Sequence, residues 1–151
     1  MEKKIRFKTL VWKFKDTTFE YPELIRKKRI TSPQDAFDLF RPFFKEEPTE
    51  LFIVILLSSS NSVIGFDLVS QGTLNSSVVD PRGVFRSAIA ANTANIIICH
   101  NHPSGNIEPS QEDIALTRTL VETGKIIGIN IFDHLIFGDN AFTSFVERRL
   151  I

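Results

Sequence analysis

The run Cys99–Ile114, C-H-N-H-P-S-G-N-I-E-P-S-Q-E-D-I, gathers the side chains best able to do chemistry in this chain. His100 and His102 are separated by one residue, so on extended backbone both imidazoles point to the same side. Two imidazoles that close suit a divalent metal, since each offers a neutral ring nitrogen. A loop of turn formers follows, with Pro103, Ser104, Gly105, Asn106 and Pro109. It ends at Ser110-Gln111-Glu112-Asp113, the S-x-x-D pattern that opens a helix. Asp113, at that helix start, can return its carboxylate as a third ligand. Three protein ligands with one open position describe a catalytic zinc rather than a structural one. A plainer reading stands beside this one: Ser110 and Asp113 as a helix cap, and either histidine as a packed or hydrogen-bonded residue. The pair His-x-His followed by an acid at a helix start favours the metal.

His100-x-His102, seven intervening residues, Ser110, two more and then Asp113 resembles the JAMM motif of the JAB/MPN metalloproteases. The string H-N-H-P-S-G, the later P-S-x-x-D-I and the segment Asp133-His134-Leu135-Ile136 are similar to the RadC branch of that family. So are Gly72-Thr73-Leu74 and Val79-Asp80-Pro81-Arg82 upstream, and the resemblance spans about residues 46 to 147. It implies the MPN (JAB) fold, a mixed β-sheet flanked by helices in a cytidine-deaminase-like three-layer arrangement. It also implies one zinc per chain on His100, His102 and Asp113, with water completing the shell. Glu50 matches the family's upstream glutamate, which takes a proton from the attacking water and hands one to the leaving amine. Ser110 matches the hydroxyl that stabilises the developing oxyanion. Glu46 and Glu47 lie close by and compete with Glu50 for the base. Gly83 departs from the pattern: RadC-like sequences usually carry glutamate there, and glycine loosens a first helical turn by up to about 1 kcal/mol. The letters H-N-H are not the HNH nuclease signature, which is named for dispersed residues.

These side chains need rigid elements behind them. Ala94–Cys99 reads as a buried strand that delivers the histidines, with Cys99 pointing opposite His100 as a small buried hydrophobe. Asn101, between the ligands, faces away and braces the loop, while Ser104 and Gly105 shape its turn. A helix from Ser110 to near Gly124 follows, with Leu116 and Leu120 on one face and Ile114 and Val121 in a second row. Ile129–Phe137 is a further strand, and its His134 reads as a core imidazole in preference to a group behind the metal ligands. Phe142–Phe145 is a short segment after the Gly138-Asp139-Asn140 turn. Upstream, Ser32-Pro33-Gln34-Asp35 starts a helix whose stripe is Ala36, Phe37, Phe40, Phe43 and Phe44. Leu51–Leu57 is a central strand covered on both faces, Val63–Val69 its return, and Leu74–Val79 a third. Asp80-Pro81 opens a second helix that buries Val84, Phe85, Ala88 and Ile89. Ile5, Phe7 and Val11 alternate with polar neighbours as a half-buried strand. The order suggests an α/β domain over residues 32–151 behind a basic extension, 1–31.

At 151 residues and 42% hydrophobic content the chain can close one sizeable core. Fourteen Phe against one Trp and one Tyr place the aromatic mass inside rather than on a stacking platform. Net charge is zero, yet residues 1–30 carry ten Lys/Arg against four Asp/Glu, so the remainder is equally acidic. The basic segment reads first as a solvated strand and second as a weak nucleic-acid contact. A single cysteine excludes an internal disulfide, and neither a membrane-length apolar run nor a signal-peptide core is present, so a cytoplasmic location is expected. The leading function is therefore a zinc hydrolase acting on an amide, peptide or isopeptide bond, with a peptide or protein as substrate. A DNA-associated factor, after RadC's DNA-repair label, is the first alternative. Longer members carry a helix-hairpin-helix region for which this chain leaves no room. A metal-bound interaction module without turnover is the second alternative, disfavoured because a scaffold needs no complete set of Glu50, His100, His102, Ser110 and Asp113. A nucleoside deaminase is excluded by the absence of a Pro-Cys-x-x-Cys pair.

Overall fold

The structure, a computed structural model, describes residues 4–16, 29–72 and 79–151. Its elements run α1 (Pro33–Phe44), β1 (Glu50–Leu57), β2 (Val63–Gly72), α2 (Pro81–Ala90), β3 (Asn95–Asn101), α3 (Gln111–Ile127), β4 (Asn130–Phe137) and β5 (Phe142–Ser144). The strands form one mixed sheet in the order β2-β1-β3-β4-β5. Only β3 and β4 pair in parallel, and α3 is the crossover that a parallel pair requires. This is the α/β fold expected of a JAB/MPN domain.

Side-chain alternation along the strands divides the core in two. Leu51, Ile53, Ile55 and Leu57 of β1 face the same side as Ile97 and Cys99, where α1 covers them with Ala36, Phe37, Phe40 and Phe44. Phe52, Val54 and Leu56 face the other side with Ile96 and Ile98, against Val84, Phe85 and Ala88 of α2 and Leu120 of α3. Helix, sheet and helices thus make three layers. His100 stands opposite Phe52 in the antiparallel β1–β3 register and so faces α3.

Helix starts follow their caps. Ser32 and Asp35 close a capping box before Pro33, and the Asp80 carboxylate accepts the Gly83 N–H at 2.8 Å before α2. Gly124 lets α3 lie close on the sheet: a Cβ there would sit 2.3 Å from the Ile129 carbonyl oxygen. The α3 helix then stops at Gly128 in the left-handed conformation.

Two expectations change. Residues 4–16 form neither strand nor helix, and Ile5, Phe7 and Val11 are exposed. Alternation makes a strand only where a partner edge completes the hydrogen bonds, and none among the described residues pairs there. Ile89 is 64% exposed, because it lies about 40° further round α2 than Phe85 and past the edge of the buried arc. The strand expected at Leu74–Val79 falls almost wholly outside the described residues. Ile30, from the end of the basic segment, is buried in the α1-side core. No helix among the described residues is long and apolar enough to cross a membrane.

Candidate metal centre

The pairing of β1 with β3 ends at Phe52 opposite His100. From that strand end the side chains of His100, His102 and Asp113 converge. His100 Nε2 lies 3.0 Å from His102 Nε2 and 3.2 Å from Asp113 Oδ1, and His102 Nε2 lies 3.4 Å from Asp113 Oδ2. A tetrahedral ion with bonds of about 2.0–2.1 Å sets neighbouring ligand atoms about 3.3 Å apart. One ligand atom from each of the three side chains lies within 4.8 Å of the other two, so they form a group that could hold a metal ion among the described residues. Burial grades across the set: the side chain of His100 is 1% exposed, Asp113 14% and His102 17%. The centre is closed on the sheet side and reached from solvent past His102 and Asp113.

Each ligand is held from behind. His102 Nδ1 donates to the Asn106 carbonyl at 2.6 Å, which leaves its Nε2 lone pair pointing at the centre. His100 Nδ1 lies 2.8 Å from His134 Nε2. Asp113 accepts the Ser110 N–H at 2.8 Å through Oδ2 and gives its own N–H to Ser110 Oγ at 3.0 Å. Capping and metal binding were alternatives in the sequence; here the carboxylate that caps α3 also sits in the group that could hold an ion. Burial alone would raise the Asp113 carboxyl, but the adjoining His100 and His102 rings and the hydrogen bond from the Ser110 N–H outweigh it and hold it well below the usual carboxylate range. The neighbouring Asp113 carboxylate is the largest influence on His102; it favours the charged ring and raises its pKa against desolvation, with a smaller contribution from the charge of Glu50.

The loop between the histidines and α3 is pinned rather than loose. Gly105 turns it with φ of +77° and donates its N–H to the His102 carbonyl at 2.9 Å. Ile107 packs on Gly138, where a Cβ would sit 2.7 Å from its Cγ2. Glu108 forms a two-pronged ion pair with Arg148, both contacts at 2.6 Å. Ser104 and Gly105 therefore shape the turn as expected.

Glu50 is the first residue of β1, half-buried, and its charge reaches His102. Glu46 and Glu47 instead line a neighbouring cleft of about 240 Å³ with Phe44, His102, Pro103 and Phe137. Glu47 Oε1 is already engaged by the Thr49 N–H and hydroxyl, at 3.2 and 2.6 Å. Asn101 faces away from the ligands, but it braces β1 and not the loop. Its Oδ1 accepts the Leu51 N–H at 2.7 Å, and its Nδ2 donates to the Thr49 carbonyl at 3.0 Å. The carboxamide continues the ladder one step past the last paired residues and fixes the backbone on both sides of Glu50. Cys99 is fully buried opposite His100, and burial pushes its thiol pKa well up.

His134 is the residue sequence reasoning placed least well. It is fully buried, as a core imidazole would be, and it also touches a ligand. Desolvation, then the neighbouring His100, keep it neutral by lowering its pKa well below the usual imidazole value. Behind it, Thr117 Oγ1 lies 2.6 Å from His134 Nδ1 and 2.6 Å from the Asp113 carbonyl. Thr117 carried no signal beyond standing one turn after Asp113.

Comparison with known proteins agrees with this geometry. A family model described as a RadC-like JAB domain matches residues 30–150. A UPF0758 protein of Clostridium beijerinckii is 50% identical over 123 residues, which cover 82% of this chain and 54% of that protein. A UPF0758 protein of Methanosarcina mazei is 43% identical over 125 residues, 83% of this chain and 55% of its own length. Another, from Staphylococcus aureus strain bovine RF122, is 50% identical over 119 residues, 79% and 52% of the two chains. The chain thus spans about half the length of the curated relatives it matches. It belongs to the RadC-like JAB domain family.

Proposed function

We propose that this domain is a zinc-dependent hydrolase of an amide, peptide or isopeptide bond, with Glu50 as proton carrier and Ser110 as oxyanion donor. The observation that carries the reading is the convergence of His100, His102 and Asp113 at ligand spacing, at a mouth open to solvent and beside a carboxylate. An ion held there supplies Lewis acidity, bringing the pKa of a water toward neutrality and polarising a carbonyl. The chain supplies the rest. Glu50 takes the proton of the attacking water and returns one to the departing amine. Ser110 Oγ accepts from the Asp113 N–H and keeps its own hydrogen to offer a developing oxyanion. Asp113 and His102 are oriented by the helix cap and the Asn106 carbonyl, so neither needs to reorganise.

Glu50→Gln tests the assignment, because it keeps shape and hydrogen-bonding reach and removes the proton acceptor. Zinc content should match the parent, while chelator-sensitive cleavage of a peptide library falls roughly 10²-fold or more. Undiminished cleavage would remove Glu50 from the mechanism and shift attention to Glu46 and Glu47. A parent that holds zinc but cuts nothing would leave a metal-bound interaction module.

A further inference from the structure

We infer that His134 and Thr117 form a hydrogen-bonded relay that fixes the tautomer of His100, making His134 a positioning residue for the metal centre. The inference deepens the function proposed above and rests on the same three ligands, but its logic needs only hydrogen-bond directions.

The relay has one consistent direction. The Asp113 carbonyl can only accept, and Thr117 Oγ1 lies 2.6 Å from it, so the threonine hydrogen points there. Reversing the hydroxyl would leave two oxygens in contact with no hydrogen between them. Thr117 Oγ1 must then accept from His134 Nδ1, 2.6 Å away. A neutral His134 protonated on Nδ1 presents a lone pair at Nε2, which accepts from His100 Nδ1 at 2.8 Å. With its proton on Nδ1, His100 has its Nε2 lone pair aimed at His102 and Asp113. A ring carrying its proton on Nε2 could not bind an ion there.

The relay is buried and closely packed. His134 and Thr117 are fully buried, and the His134 ring stacks on Phe145 with centroids 4.4 Å apart. Metal-ligating histidines usually give their second N–H to a carboxylate, carbonyl or water. Here a neutral imidazole takes that place, and the Asp113 backbone at the far end belongs to a ligand. Two of the three ligands are thereby coupled through their second contacts.

Isosteric changes at Thr117 separate this role from packing. Thr117→Val keeps the volume and removes the hydroxyl; Thr117→Ser keeps the hydroxyl and removes a methyl. Zinc affinity is read on the metal-stripped chain by competition with a chromogenic chelator. Thr117→Val should bind about tenfold more weakly or worse, and Thr117→Ser within about threefold of the parent. Side-chain ¹⁵N shifts of the metal-free protein at alkaline pH give a second readout. The parent should carry the His100 proton on Nδ1, and Thr117→Val should move it toward Nε2. Parent-like affinity and tautomer in Thr117→Val overturn the relay, as does a Ser variant as weak as the Val variant, the order a packing role predicts. Should the parent take up no zinc, the proposed function fails while the ¹⁵N shifts still decide the relay.

Discussion

Replacing Asn101 by alanine should damage β1 while sparing the ligands. The Leu51 N–H, bonded to Asn101 Oδ1 at 2.7 Å, is buried and would lose its partner outright, at a cost of about 1–3 kcal/mol. The Thr49 carbonyl, at 3.0 Å from Nδ2, is half-buried and can turn to water, so its loss costs only about 0.5–1 kcal/mol. Together the truncation should destabilise the fold by about 2–4 kcal/mol, read as a lower urea midpoint of the metal-free protein with its m-value unchanged. Glu50 lies between the two freed groups, so turnover should fall while zinc content stays near that of the parent. Asn101→Asp should not rescue, because its second oxygen would face the Thr49 carbonyl with no hydrogen between them. An unchanged midpoint in Asn101→Ala would show that the strand head is held by other contacts, and the reasoning would fail.

His102→Ala removes the most exposed ligand and should strip most of the zinc from the purified protein; full occupancy by elemental analysis would refute the ligand set. Hydrogen bonds from the Thr31 hydroxyl and N–H, with smaller ones from Ser32, lower the pKa of Asp35. Its cap therefore stabilises the fold above the usual carboxylate range and is lost as pH falls through the lowered value. Asp35→Asn should cost about 1 kcal/mol at neutral pH, and the gap should close in acid; a gap independent of pH in denaturation curves would contradict this. Lys4, Arg6, Lys8, Lys13 and Lys15 are exposed on a segment without regular structure, so nucleic-acid binding should be weak and collapse as salt rises. Tight, sequence-selective binding at physiological salt in an anisotropy titration would instead favour a DNA-associated factor.

The parts of the site that could be read from sequence are those encoded over short distances. Alternation puts His100 and His102 on one side, and S-x-x-D places Asp113 at a helix start, so the three members of the candidate metal group could be named without knowing any strand pairing. What escaped depends on register. His134 reaches His100 because β4 lies parallel to β3 with His134 opposite Ile98, and no spacing along the chain encodes that. The bonds from Asn101 to β1 cross 50 residues for the same reason. The N-terminal misreading is the converse: Ile5, Phe7 and Val11 had the local pattern of a strand without an edge to complete it.

The candidate metal group, with His134 and Thr117, lies on one uninterrupted unit, β3–α3–β4, whereas Glu50 arrives from β1, fifty residues upstream of His100. Loop closure within that unit is short, so the three ligand atoms can meet early as the chain folds, and an ion can bind and stabilise the unit as it forms. Glu50, the proposed proton carrier, depends on a longer-range event, the docking of β1 along β3. On the proposed function, a chain caught between the two would hold its ion and lack its base, so metal content would overstate the fraction able to turn over. Refolded material should therefore regain zinc before it regains turnover.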